Sequence, residues 1–211
     1  MAAKGAQDKH LSENPSITFF KVQHPKHTDF AFHTSRQNFN RSSPGRNMVC
    51  EVARSGDLLC DAHLRIELPA LGLDAGDAQA YYRDGIAHYI INRIKLEIGN
   101  NKIDEIYGSF MDILEELSST EGNRHGMMTG YGSVAERQAA AASTQVLHIP
   151  LPFYFFQEHC NAIPLVALQY HKVNIVADLK ELDESWCEAA PVALPAKADV
   201  KCEMFFEYVM L

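Results

Sequence analysis

The chain predicts an all-β fold, an antiparallel sandwich. Three observations carry that expectation. Short segments alternate apolar and polar residues at period two, as half-buried strands do. Gly, Pro, Asn and Asp clusters punctuate them at short intervals. No strand–helix–strand rhythm and no fixed-period repeat runs through the sequence.

The elements follow in order. Phe19-Phe20-Lys21-Val22 is a first strand candidate. Thr28 to Phe39 is a second, with Phe30, Phe32 and Phe39 as its apolar contacts. Ser42-Ser43-Pro44-Gly45 breaks it, and Met48 to Val52 follows. In Leu58 to Leu68, Leu64, Ile66 and Leu68 alternate with Arg65 and Glu67, until Pro69 stops the strand. Leu71 to Gln79 reads as a loop. Ile90 to Ile98 alternates most cleanly, and Gly99-Asn100-Asn101 then predicts a hairpin with a two- or three-residue turn.

The period changes at Ile106 to Leu117. Ile106, Phe110, Ile113, Leu114 and Leu117 recur at helical spacing and predict one amphipathic helix of about three turns, packed by this face on the sandwich. The Ala-rich run from Ala135 to Ala142 suits a second short helix. Val146 to Phe156 regains strand character, but Pro150 and Pro152 confine it to a sheet edge or delay its start. Pro164 to Tyr170, Lys172 to Leu179 and Val200 to Met210 complete the strands, the last with Cys202, Met204, Phe206, Tyr208 and Met210 on one face. Leu182 to Ala198 is a loop carrying the only tryptophan, Trp186. Eight or nine short strands with long excursions favour the jelly-roll form of sandwich, whose Greek-key connections tolerate insertions.

Composition narrows the function. The 211 residues suit one large β domain or two small ones, and 46% apolar with 22% charged residues is ordinary for a globular chain. Net charge is −8, with 19 basic residues scattered among 27 acidic ones, which argues against direct nucleic-acid binding. The five cysteines are widely spaced without Cys-x-x-Cys and read as reduced thiols. No apolar run reaches the ~18 residues of a membrane span, and the first ten residues contain no secretory signal.

Reactive motifs are missing. The ten histidines include no His-x-His, so neither a cupin-like metal site nor any other metal or cofactor is expected. Gly130-Tyr131-Gly132-Ser133 lacks the glycine that a nucleophile elbow requires, and no phosphate-binding glycine loop occurs. Asp112, Glu115 and Glu116 read as a solvated helix face. Adjacent aromatics in Phe19-Phe20, Phe153 to Phe156 and Phe205-Phe206 point to opposite faces of a strand. One of each pair then belongs to the core, and the other to a further packing surface.

Several blocks, in fixed order, resemble the major capsid proteins of nucleocytoplasmic large DNA viruses. They are Gly5-Ala6-Gln7-Asp8, Asn14 to Phe20, His27-Thr28-Asp29-Phe30 and Gly56-Asp57-Leu58. The series continues with Ile94 to Gly99, Ile103-Asp104, Tyr107-Gly108, Ile149 to Phe155 and Ile163 to His171. Gln23-His24-Pro25-Lys26 departs from it where the family favours an aromatic followed by two basic residues.

The resemblance implies a structural, non-enzymatic shell protein. Family members carry two consecutive jelly rolls, and three chains form a pseudo-hexagonal capsomer of an icosahedral shell around an internal membrane. The expected partners are therefore further copies of the chain, as a trimer, and other capsid proteins, near that membrane without insertion. The expected place is the virion capsid, assembled in host cytoplasm. The chain would correspond to the first roll, with residues 1–27 as an N-terminal arm and first strand and 28–211 as a single jelly-roll domain. Expected contact regions are the arm and the loops 69–88, 118–145 and 182–198. Phe19, Phe20, His27, Phe30 and Trp186 are the expected contact residues. The rival readings are a carbohydrate-binding jelly-roll module and a cupin-type enzyme.

Overall fold

The computed structural model describes residues 29–41, 44–71, 80–118, 129–156, 159–181, 183–188 and 200–211. Phe32–Met210 forms one compact unit; residues 1–31 with Leu211 form the other, of which 29–31 and Leu211 are described.

The described strands are β1 (Ala31–Asn38), β2 (Met48–Glu51), β3 (Leu58–Leu68), β4 (Tyr81–Tyr82), β5 (Ile91–Ile98) and β6 (Asn101–Tyr107). They continue with β7 (Gln145–Pro150), β8 (Ile163–Pro164), β9 (Val173–Leu179), β10 (Cys187–Glu188) and β11 (Lys201–Met210). The helices are α1 (Ile86–Ile90), α2 (Gly108–Ser118) and α3 (Val134–Ala141).

One sheet has the order β1-β11-β3-β7, with β8 also on β3, and the other has the order β2-β9-β5-β6. Successive long strands thus alternate between sheets, apart from the β5–β6 hairpin. This is the jelly-roll connection, and the sandwich expectation holds. β3 lies antiparallel to β11 and β7, and β9 lies antiparallel to β2 and β5.

Alternation decides which side chains enter the core. Leu64, Ile66 and Leu68 of β3, Met204, Phe206 and Tyr208 of β11, Ile94 and Leu96 of β5 and Ile175 of β9 are fully buried in one cluster. Each such side chain contributes about 1.5–3 kcal/mol on leaving water. The predicted hairpin forms with Gly99 and Asn100 at φ 57° and 68°. Two left-handed residues match the twist of the flanking strands, which is why Gly and Asn occupy them. Asp178 is the polar exception on β9. Burial pushes its carboxyl up, but hydrogen bonds from the Asn47 N–H at 2.6 Å and Arg93 Nε at 2.5 Å outweigh this and hold it below the usual range.

No disulfide joins the five cysteines, all of which lie among the described residues. Burial pushes the Cys50 and Cys202 thiols up to about 12, which leaves little thiolate at neutral pH.

Two expectations need correction. Pro164 to Tyr170 is not a strand. Only Ile163 and Pro164 pair with β3, and Ala167 N–H then bonds back to Pro164 O and Leu168 N–H to Leu165 O as successive turns. The second concerns Trp186. It is fully buried, carried by a 3₁₀ turn (Glu184–Trp186) that leads into β10, and β10 pairs with β4. As packed, it cannot meet a neighbouring chain.

Candidate interaction surface

The helix after β6 sits in the predicted place with its other face inward. The chain leaves β6 at Tyr107 and turns into α2 at Gly108, where a Cβ would lie 2.2 Å from both the His88 and Ile91 carbonyl oxygens. The missing side chain lets two backbones touch. In that position α2 buries Met111 and Glu115, one turn apart. The residues expected to face the sandwich point outward: Phe110 is 51% exposed, Ile113 58% and Leu117 80%. Ile103 and Tyr107 on β6 are about half exposed beside the helix start. An apolar stripe of this length on a surface marks a contact with something else.

Polar groups tie the helices together behind this stripe. The Tyr131 hydroxyl donates to the Asp112 carboxylate of α2, and His88 Nδ1 of α1 lies 3.1 Å from the same hydroxyl. The two rings meet edge to face at 5.7 Å. α3 starts with a capping box, in which Ser133 N–H donates to Glu136 Oε2 at 2.9 Å and the Ser133 hydroxyl accepts from Glu136 N–H. Arg137 on α3 donates to Tyr82 O and pairs with Glu188 at 2.9 Å, fastening α3 to the β4–β10 ribbon.

Between α2 and the outer face of the first sheet lies a cavity of about 340 Å³, lined by Asp61, His63, His88, Met111, Leu114, Glu115, His148, Pro150, Pro152 and Phe156. His63 Nε2 and Asp61 Oδ2 are 2.8 Å apart, and this hydrogen bond raises the imidazole above its ordinary range. His148 is lowered, first by burial and then by Arg65 and His63. The rest of that sheet face is a charge ladder. Arg65 bonds Glu203 at 3.0 Å and Glu67 at 3.3 Å, and Arg36 meets Glu203 at 3.2 Å. Among the described residues no three His, Cys, Asp or Glu side chains gather as metal ligands would, and no helix is long and apolar enough to cross a membrane.

Of the expected contact residues, Phe19, Phe20 and His27 lie outside the described residues, as do residues 72–79, 119–128, 182 and 189–198 of the expected contact loops. Phe30 is 55% exposed, and Trp186 belongs to the core. Phe110, Ile113 and Leu117 were assigned inward by periodicity. Period alone finds an apolar face but does not say which partner covers it. The described aromatics divide between core and surface, Phe205-Phe206 by strand alternation and Phe153 to Phe156 in a turn beyond β7, while Phe19-Phe20 lies outside the described residues. Phe153, Phe155 and Phe206 are buried, while Tyr154 and Phe156 are partly exposed and Phe205 is half-buried against His148.

Comparison with known proteins gives one consistent family. A family model described as major capsid protein N-terminus matches residues 18–211. The major capsid protein of Phaeocystis pouchetii virus is 32% identical over 219 residues, covering 90% of this chain and 42% of that protein. The major capsid protein of Pyramimonas orientalis virus is 38% identical over 180 residues, covering 83% of this chain and 44% of that one. A quasi-atomic structure of the PBCV-1 virus capsid superposes with a TM-score of 0.74 at 25% identity, over 92% of this chain and 45% of that chain. The chain therefore spans less than half the length of the curated relatives it matches.

Proposed function

This chain belongs to the major capsid protein N-terminus family, and from that premise we propose that it is a structural brick of an icosahedral virus shell. The observation that carries the reading is the family match over residues 18–211 on a sandwich of jelly-roll strand order. Its work is shape and surface complementarity, without a reactive centre. Three chains associate as a capsomer and meet other capsid proteins. Residues 28–211 act as the jelly-roll domain and residues 1–27 as an arm that reaches neighbours through Phe19, Phe20 and His27, with Phe30 at its root. The protein resides in the virion capsid, assembles in host cytoplasm, makes no direct contact with nucleic acid and lies near the internal membrane without entering it. The net charge of −8 supports the separation from nucleic acid.

The α2 stripe supports a contact role and makes the reading testable. Replacing Phe110 and Leu117 together by serine removes apolar surface that the isolated chain leaves in water. Chemical denaturation is expected to place the variant within about 0.5 kcal/mol of the parent. Incorporation into shells, followed by sedimentation of particles, is expected to fall steeply. A variant that enters shells at the parental level would remove α2 from the contact surface.

A further inference from the structure

We propose that the pocket at the start of α2 is a receptor for one carboxylate, an acidic side chain of a second copy of this chain. This deepens the capsid reading by naming what one surface receives, and it rests on that reading only for the occupant's source.

Arg83, Lys180 and Tyr89 line a cavity of about 180 Å³, and Ser109 and Asp112 bring the start of α2 to its wall. That volume is well above a single water and below the roughly 300 Å³ at which drug-sized sites begin, so it suits a small head group. The Arg83 guanidinium carbon lies 3.9 Å from the centre of the Tyr89 ring, and Lys180 Nζ lies 3.6 Å from it. One ring thus holds two like charges close together. A ring face attracts cations but gives their N–H groups no oxygen to bond. Among the described residues neither cation has an ion pair or a side-chain hydrogen bond, and Arg83 Nε is buried without a partner. The ring itself is fixed from its far end. Ser185 gives its one proton to the Asp183 carboxylate, so the Tyr89 hydroxyl, 2.7 Å away, donates to Ser185 Oγ.

The two carboxylates on the pocket wall are engaged elsewhere. Asp112 accepts from the Tyr131 hydroxyl, and Asp84 accepts from Gly132 N–H at 3.3 Å and lies 3.9 Å from Arg137. Their charge still decides what enters, because it opposes a dianion more than a monoanion. A carboxylate is a monoanion, and its two oxygens match the planar N–H fork of arginine. The chain itself is a plentiful source, with 27 acidic residues against 19 basic ones and a net charge of −8. Copies of so acidic a chain repel one another at long range, and two cations in one pocket give an acidic residue of another copy a favourable seat. The exposed Phe110 and Ile113 follow on the same helix and continue the contact surface beyond the pocket.

The test titrates the purified chain with sodium acetate at constant ionic strength, while following the Arg83 Nε–H and Tyr89 ring signals by NMR. Saturable shifts are expected, and none with acetamide, which has the same shape without the charge. Lys180→Gln is expected to weaken acetate binding about tenfold, the worth of one charge-assisted hydrogen bond, with the parental circular dichroism spectrum. Arg83→Gln serves in its place if Lys180→Gln does not fold. Inorganic phosphate, nearly a dianion above neutral pH, is expected to bind more weakly than acetate. Equal shifts with acetamide, no saturation, or an affinity that the substitution leaves unchanged would overturn the receptor, and tighter binding of phosphate would overturn the choice of a carboxylate. Shells assembled from a mixture of isotopically light and heavy chains then identify the source. Carbodiimide treatment is expected to join Lys180 to an aspartate or glutamate in peptide pairs that carry both labels. Acetate binding without such a pair would overturn the second copy as occupant. No outcome of the titration bears on the capsid reading, which a failure of the chain to enter shells would remove.

Discussion

Gly108→Ala is expected to leave no folded chain in solution. The added Cβ would sit 2.2 Å from two oxygens, His88 O and Ile91 O, and both belong to backbone. A flexible side chain could swing aside, but these carbonyls end α1 and open β5. Relief requires α2 to lift from α1, exposing Met111, Glu115 and the buried side of Ile106. Overpacking against rigid backbone, combined with lost burial, exceeds about 4 kcal/mol, a large part of the stability of a typical domain. Loss of the near-ultraviolet circular dichroism signal and recovery in the insoluble fraction would register the effect. Ser109→Ala, one residue on and exposed, is expected to stay within about 0.5 kcal/mol of the parent. A folded Gly108→Ala chain with a parental urea midpoint would show that α2 does not approach α1 as described.

The second large effect belongs to Trp186. Truncation to alanine is expected to cost about 3–5 kcal/mol, because the fully buried indole leaves a cavity that its rigid surroundings cannot close. The loss should extend along the chain. The Trp186 carbonyl accepts the Arg83 N–H at 2.9 Å, and Cys187 pairs with Tyr82, so the ribbon joining residues 81–83 to 186–188 depends on this anchor. Trp186→Phe is expected to cost clearly less. Among the described residues the indole Nε1 finds no hydrogen-bond partner, so phenylalanine retains much of the apolar contact and dispenses with a buried donor that none of them satisfies. Urea midpoints of the two variants decide the matter: similar large losses from both would mean that the indole's shape, not its bulk, holds the site.

The strands were legible because their cause is local. In β3, the alternation of Leu64, Ile66 and Leu68 with Arg65 and Glu67 is the burial pattern itself, and the structure places the strand at the same bounds, Leu58–Leu68. β5, β9 and β11 follow the same rule, and the Gly99-Asn100 turn is dictated by backbone conformation alone. What sequence could not supply is relative placement. The span of α2 was readable, but its orientation follows from the contact at Gly108 with a helix of only five residues, Ile86–Ile90. Trp186 was misplaced for a related reason: a lone tryptophan in a long loop carries no period to show what it packs against. The cavity beside α2 was also hidden. Its histidines come from β3, α1 and β7, far apart in the chain, and the β3–β7 register that sets Arg65 beside His148 brings two of them onto one face.

The proline that ends β7 has a meaning beyond its own strand. Among the described strands β7 stands at one border of the first sheet, and Pro150 offers no N–H there to an incoming strand. Lys102, Asp104 and Glu105 put charge along β6, one border of the second sheet. An open, unguarded sheet border invites edge-to-edge stacking into fibres. Borders that discourage main-chain zippering leave side-chain surfaces as the places where another chain can dock. A contact made there takes its direction from the shape of the surface, not from the run of a strand.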